Sequence, residues 1–315
     1  MRHDWRARGD AALVDYARQF DNYYLNVADI RIDEISLRKA AAQADSNVLA
    51  ALREAIKRVR AFHEHEHEYS WIAEGPNGTS LGQRVMPIER VGVYVPGGTA
   101  SYPSSVVMNI VPAQIAGVDR IVVTTPPRAL QENPAVAAAL IELNVTEVFA
   151  VGGAQAIAAL AYGTETVPHV DKIIGPGNRY VTAAKKLVYG TVGIDSLAGS
   201  SEVVVLADET ATAAFIASDL LAQAEHSEDA SSLLITTSQE LALEVLGELA
   251  TQMCQLPRFA VIEKSLTNYG AIIVTDSLDE SWRLVNELAP EHLEIMAREE
   301  ESIASHTQCR GNLFR

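Results

Sequence analysis

Three glycine-rich turns, each set between a short apolar run and a helical segment, constrain this chain more than any other feature of its sequence. They are Val95-Pro96-Gly97-Gly98, Val151-Gly152-Gly153-Ala154-Gln155 and Ile174-Gly175-Pro176-Gly177-Asn178. The runs that feed them, at 91–95, 148–151 and 172–174, are continuous rather than alternating. Continuous runs suit strands buried on both faces of a parallel sheet, with the helices between them as crossovers. Open α/β sheets take ligands at the carboxyl ends of their strands. There a glycine turn admits a ligand to the backbone, and the next helix N-terminus favours anions. The GxGxxG fingerprint is absent, so any one turn reads equally well as a plain turn. Three at successive strand ends in one layer point to a ligand crevice.

The same alternation continues along the chain. Further apolar runs lie at 121–124, 203–206, 233–236 and 271–274, with helical segments at 105–116, 134–143, 155–162 and 211–225. The opening third reads as helical instead, with apolar spacings of three and four at 8–20 and over a longer stretch at 46–69, broken by Gly75-Pro76-Asn77-Gly78. A chain of 315 residues suggests about two domains. Glycine and serine cluster near 191–201. The expected fold is therefore α/β, with two Rossmann-like, doubly wound, mainly parallel sheets and an N-terminal helical segment. One domain is expected at 91–200. The other is expected to be discontinuous, built from 1–90 together with 201–315.

Charge and cysteine content narrow the function classes. The net charge is −16, from 25 basic and 41 acidic residues, and no basic stripe is interleaved with aromatics. Nucleic acid is not an expected partner. The longest apolar runs fall far short of the ~20 residues that a membrane-spanning helix needs. No secretory pattern is visible at Met1-Arg2-His3-Asp4-Trp5. The two cysteines, Cys254 and Cys309, do not make a disulfide framework. A cytoplasmic location is expected.

Two polar pairs stand out beyond the glycine turns. In Gln223-Ala224-Glu225-His226, positions i and i+3 of a helix share a face, so Gln223 and His226 can address one metal ion. A polar helix end is the alternative reading. In Ala289-Pro290-Glu291-His292-Leu293, a carboxylate that can activate water adjoins an imidazole suited to proton transfer near neutral pH. Adjacent residues reach one site only in a loop or at a strand end, and Pro290 favours such an entry. A surface pair is the alternative here. His63, His65 and His67 alternate with glutamates, but i and i+2 residues do not face each other on a helix, so they are read as a solvated helix end.

Six segments together resemble the signature segments of the histidinol dehydrogenase family. They are 90–98, Gly152-Gly153-Ala154-Gln155-Ala156, Gly175-Pro176-Gly177-Asn178, Ala198-Gly199-Ser200-Ser201-Glu202-Val203, Gln223-Ala224-Glu225-His226 and Pro290-Glu291-His292-Leu293. They follow the family's order and similar spacing over nearly the whole chain. The resemblance implies oxidation of L-histidinol to L-histidine in two NAD-dependent steps through an aldehyde, by a zinc-dependent homodimer. It assigns Tyr94, Gln155 and Asn178 to NAD, and so 91–200 to NAD binding. Ser201, Gln223, His226 and His292 match substrate-contacting positions. Gln223 and His226 also match two zinc ligands. Glu291 and His292 match the acid–base pair.

The family continues well past Gly311-Asn312-Leu313-Phe314-Arg315 and starts before the segment matching 6–10. Its further C-terminal segment carries two more zinc ligands, an aspartate and a histidine, and a substrate-binding glutamate. It also supplies much of the dimer contact. Ser200 stands where a proline is usual. The expectation from the resemblance is weak zinc binding and little or no histidinol oxidation by these 315 residues alone. Two other classes stay open from sequence: a relative acting on another alcohol such as sulfopropanediol, and a non-catalytic nucleotide-binding or interaction protein.

Overall fold

All seven apolar runs form strands. The computed structural model describes residues 8–97, 103–197 and 201–298, and the backbone of 312–314. It divides into two compact units, 1–197 and 198–315. The first unit holds β1 (Arg31–Ile32), β2 (Trp71–Glu74), β3 (Ser80–Gln83), β4 (Arg90–Tyr94), β5 (Arg120–Thr125), β6 (Val148–Ala150), β7 (Lys172–Ile174) and β8 (Gly193–Ile194). Its helices are α1 (Asp10–Phe20), α2 (Glu34–Ala41), α3 (Ser46–His63), α4 (Pro103–Ile115), α5 (Ala129–Glu132), α6 (Pro134–Glu142), α7 (Gly153–Tyr162) and α8 (Arg179–Val188).

Six of these strands form one sheet in the order β1-β6-β5-β4-β7-β8, parallel except for the short β1. The chain winds outward from β4 through β5 to β6, then returns to place β7 on the other side of β4. Such a reversal is where doubly wound sheets leave a crevice at the carboxyl ends of their strands. The period of two along β4 sends Val91, Val93 and Val95 to one face, against Val106, Ile110 and Leu140 of α4 and α6. It sends Tyr94 to the other face, with Leu13 of α1 and Ile157 and Leu160 of α7.

Three expectations need correction here. First, the described residues 8–90 group with this sheet in one compact unit. Leu37 of α2 and Leu52 of α3 are buried in the same cluster as Val91 and Val93, and β1 pairs with β6. Asp10 opens α1 and accepts from the Thr166 N–H and hydroxyl, while its own N–H donates to Glu165. An apolar helix face shows that a helix is covered but not by which sheet. Second, the helix expected over 46–69 ends at His63, followed by a 3₁₀ turn at Glu64–Glu66. The spacing of apolar residues that would hold a longer helix against a core stops at Phe62. Third, the opening third is not wholly helical, because β2 and β3 pair as an antiparallel hairpin. Gly75-Pro76-Asn77-Gly78 turns that hairpin, with Asn77 and Gly78 at φ of 61° and 75°.

The second unit contains β9 (Glu202–Ala207), β10 (Ser231–Thr236), β11 (Gly270–Val274), β12 (His292–Met296) and β13 (Asn312–Phe314). Its helices are α9 (Ala213–Ala224), α10 (Gln239–Met253), α11 (Phe259–Tyr269) and α12 (Leu278–Leu288). The sheet is parallel in the order β11-β10-β9-β12-β13, with its own reversal between β9 and β12. Val203 and Val205 face α9 and α10, whereas Val204 and Leu206 face Trp282 and Val285 of α12. Sequence reading missed β12 because buried Glu294 interrupts its apolar run. Among the described residues, no helix is long and apolar enough to cross a membrane.

Candidate functional site

In the first unit the three glycine turns meet at one sheet edge. β4 ends at Tyr94, the Gly152-Gly153 turn follows β6, and the Gly175 turn follows β7. All three leave the carboxyl ends of their strands. A cavity of about 640 Å³ opens there, lined by Asp21, Tyr94, Gly97, Gly153, Gln155, Asn178 and Tyr180 among others. Gly98 lies outside the described residues.

Each lining residue is held by local chemistry. The Tyr94 hydroxyl accepts from the Gly153 N–H at 3.1 Å. Burial pushes the Tyr94 phenol above its ordinary value; the Gly153 bond opposes this, and the Asp21 carboxylate adds to the rise. The phenol therefore keeps its proton. Gln155 is buried in the first turn of α7. Asn178 is the N-cap of α8, its Oδ1 accepting from the N–H groups of Tyr180 and Val181 at 3.0 and 3.2 Å.

The Gly175 turn has two supports that sequence reading missed. Its peptide N–H donates to Asp195 Oδ2 at 2.8 Å, and its carbonyl accepts from Lys185 Nζ at 2.6 Å. Lys185 also pairs with Asp195 Oδ1 at 2.6 Å and is buried. A signal for Lys185 does exist: it stands on the buried stripe of α8 with Val181, Ala184 and Val188. A lysine on an apolar stripe needs a partner. Asp21 was also missed. Burial raises its carboxyl above the ordinary range, and its Oδ2 has no hydrogen-bond partner among the described residues.

The second unit gathers its polar residues at the opposite kind of edge. Ser201 immediately precedes β9, and its carbonyl accepts from the Ser231 N–H at 3.0 Å. His226 lies in the connection leading into β10, and His292 opens β12, in register with Val203 of β9. Ser201, His226, Glu291 and His292 thus sit at the amino ends of three adjoining strands, which run about 4.8 Å apart. Glu291 precedes the strand, and its Oε1 is 3.8 Å from His292 Nε2, with both side chains exposed. The chain enters β12 irregularly, since Ala289 takes a left-handed φ of 45° before Pro290.

The Gln223–His226 pair is not a helical pair. α9 ends at Ala224 with Glu225 as its C-cap, and the His226 N–H donates to the Gln223 carbonyl at 3.1 Å. The tighter turn carries His226 out to solvent, while Gln223 stays buried with its Nε2 lacking a partner among the described residues. A histidine ring nitrogen and a glutamine carbonyl oxygen are donor types that a zinc ion can take, whereas the unpartnered Nε2 is a hydrogen-bond donor and no ligand. Among the described residues, no group of three or more His, Cys, Asp or Glu side chains is placed to hold a metal. Ala198, Gly199, Ser200 and Cys309 lie outside the described residues.

Comparisons with known proteins agree across the chain. A family model described as histidinol dehydrogenase matches residues 2–315. A histidinol dehydrogenase from Geobacillus kaustophilus (strain HTA426) is 51% identical over 310 residues, which are 98% of this chain and 73% of that protein. One from Synechococcus sp. (strain ATCC 27144 / PCC 6301 / SAUG 1402/1) is 49% identical over 308 residues, 98% of this chain and 71% of that protein. The crystal structure of histidinol dehydrogenase from Elizabethkingia anophelis superimposes with a TM-score of 0.93 at 37% identity, covering 99% of this chain and 72% of that one.

Proposed function

This chain belongs to the histidinol dehydrogenase family, and from that premise we propose that it oxidises L-histidinol to L-histidine in two NAD-dependent steps. It is an oxidoreductase of amino-acid biosynthesis. The observation that carries the finer reading is the gathering of Ser201, His226, Glu291 and His292 at one edge of one sheet.

His292 takes the proton of the carbinol hydroxyl through its exposed imidazole. Glu291 deprotonates the water that hydrates the aldehyde, because only the hydrated form has a second hydride to release. Ser201, Gln223, His226 and His292 contact the substrate. Gln223 and His226 would contribute two ligands to zinc, and the chemistry it would supply is a fixed template for the substrate's nitrogen donors. Tyr94, Gln155 and Asn178 would hold NAD, whose nicotinamide would supply the hydride acceptor. A cavity at the carboxyl edge beside the sheet's reversal supports that assignment. The Tyr94 hydroxyl retains its proton as a donor, and the N-termini of α7 and α8 suit an anionic pyrophosphate. The working form in this proposal is a cytoplasmic homodimer.

NADH formation from L-histidinol with added zinc tests the proposal. Two NADH per histidinol, abolished in His292→Ala, is the expected result. Absence of turnover by the unaltered chain, the outcome that the resemblance by itself implies for these 315 residues alone, would overturn it.

A further inference from the structure

We propose that Lys185 and Asp195 act together as positioning residues for the dinucleotide turn, a reading that rests on NAD occupying the cavity of the first unit. The turn 175–178 carries Asn178 into that cavity. Its backbone is pressed against β4: a Cβ built on Gly175 would lie 2.3 Å from the Tyr94 carbonyl oxygen. Both polar groups of the Gly175 peptide are taken by one ion pair. Asp195 Oδ2 accepts the N–H, Lys185 Nζ donates to the carbonyl, and Asp195 Oδ1 closes the triangle at 2.6 Å.

The ion pair connects three elements. Lys185 rises from the second turn of α8, Asp195 follows β8, and Gly175 follows β7. The helix that Lys185 belongs to is the one Asn178 caps. The pair therefore sets where the N-terminus of α8 stands relative to Tyr94, and with it the gap between the Tyr94 and Asn178 side chains.

A buried ion pair is a poor device for stability alone, because desolvation offsets most of its attraction. Here it fixes a geometry because its three bonds close a triangle over Gly175, so that moving any one segment stretches the other two. Asp195 has a side chain 32% exposed, against 5% for Lys185. Removing the lysine therefore leaves a carboxylate that water can reach and that still holds the Gly175 N–H. The turn then loses its carbonyl anchor without losing its core, and a misplaced binding group weakens binding steeply.

The test compares Lys185→Met with the unaltered chain, using NAD as the titrant in calorimetry and then steady-state kinetics. The expected result is an NAD Kd and KM raised about tenfold or more. The KM for histidinol, and kcat at saturating NAD, stay within about twofold. A purely structural role would instead lower the melting temperature and leave the NAD affinity of the folded protein unchanged, which would overturn the proposal. Should Lys185→Met fail to fold, Asp195→Asn gives the same reading, because it keeps an acceptor for Gly175 and removes the charge facing Lys185. If the unaltered chain does not bind NAD, the cofactor assignment itself fails, and this inference falls with it. If the unaltered chain binds NAD and both variants bind equally well, the inference alone fails.

Discussion

Replacing Gly175 with alanine should damage the first unit and its cavity together. Gly175 has a φ of +111°, a region that residues with a side chain rarely adopt. Holding an alanine there costs about 1–3 kcal/mol. The added Cβ would also meet the Tyr94 carbonyl oxygen at 2.3 Å, about 1 Å inside an ordinary carbon–oxygen contact of ~3.3 Å. That oxygen is backbone and cannot rotate away, so the turn must move. Moving it stretches the bonds to Asp195 and Lys185, and a bond to a charged group contributes about 1.5–3 kcal/mol. Together these losses come to at least about 4 kcal/mol, or a fall of at least about 8 °C in the melting of a unit this size. Differential scanning calorimetry of the full chain should show the fall in the transition of residues 1–197. Gly247→Ala is the control: Gly247 lies inside α10, and a Cβ there meets nothing within 4 Å. It should raise stability by about 0.5–1 kcal/mol. If Gly175→Ala melts within a degree of the unaltered chain and binds NAD equally well, the strain argument is wrong.

Asn178→Ala removes the cap of α8 and should cost about 1 kcal/mol in urea unfolding, with a loss of NAD affinity measured on the folded protein. Glu291→Gln should lower the rate of the second oxidation by about 10²–10⁴-fold, so rapid-quench analysis should show aldehyde accumulating. Asp21 tests the electrostatics of the cavity. Burial raises its carboxyl, so the native state holds the proton more tightly than the unfolded chain does. Stability from this group therefore falls as pH rises from the unfolded value of ~3.9 through the higher native value. Asp21→Asn should unfold at higher urea than the parent at pH 7, and this advantage should vanish as the pH drops to about 4. A constant difference across that range would rule out titration of Asp21 as the cause.

The seven strands and the helices between them were legible because their signals are local. A continuous apolar run such as 203–206, or a turn such as Gly175-Pro176-Gly177-Asn178, needs only its own residues to be recognised. The carboxyl-edge crevice followed from the same logic, since a turn that follows a strand must lie at its carboxyl end. Pro290 correctly foretold the irregular entry to β12 that Ala289 makes. Gln223 and His226 were picked out by spacing, but the spacing rule assumed a helix that stops at Ala224.

Tertiary structure decided what each face meets. α2 and α3 announce their apolar faces in sequence, but only the packing of Leu37 and Leu52 beside Val91 and Val93 assigns them to the first sheet. The order of strands alone brings Ser201, His226 and His292, separated by many residues, to adjoining amino ends, an edge that the usual rule for α/β sheets would have passed over. The Lys185–Asp195 pair closes over Gly175 for the same reason. Periodicity records that a side chain is hidden, while strand pairing and helix docking between distant segments determine its partner.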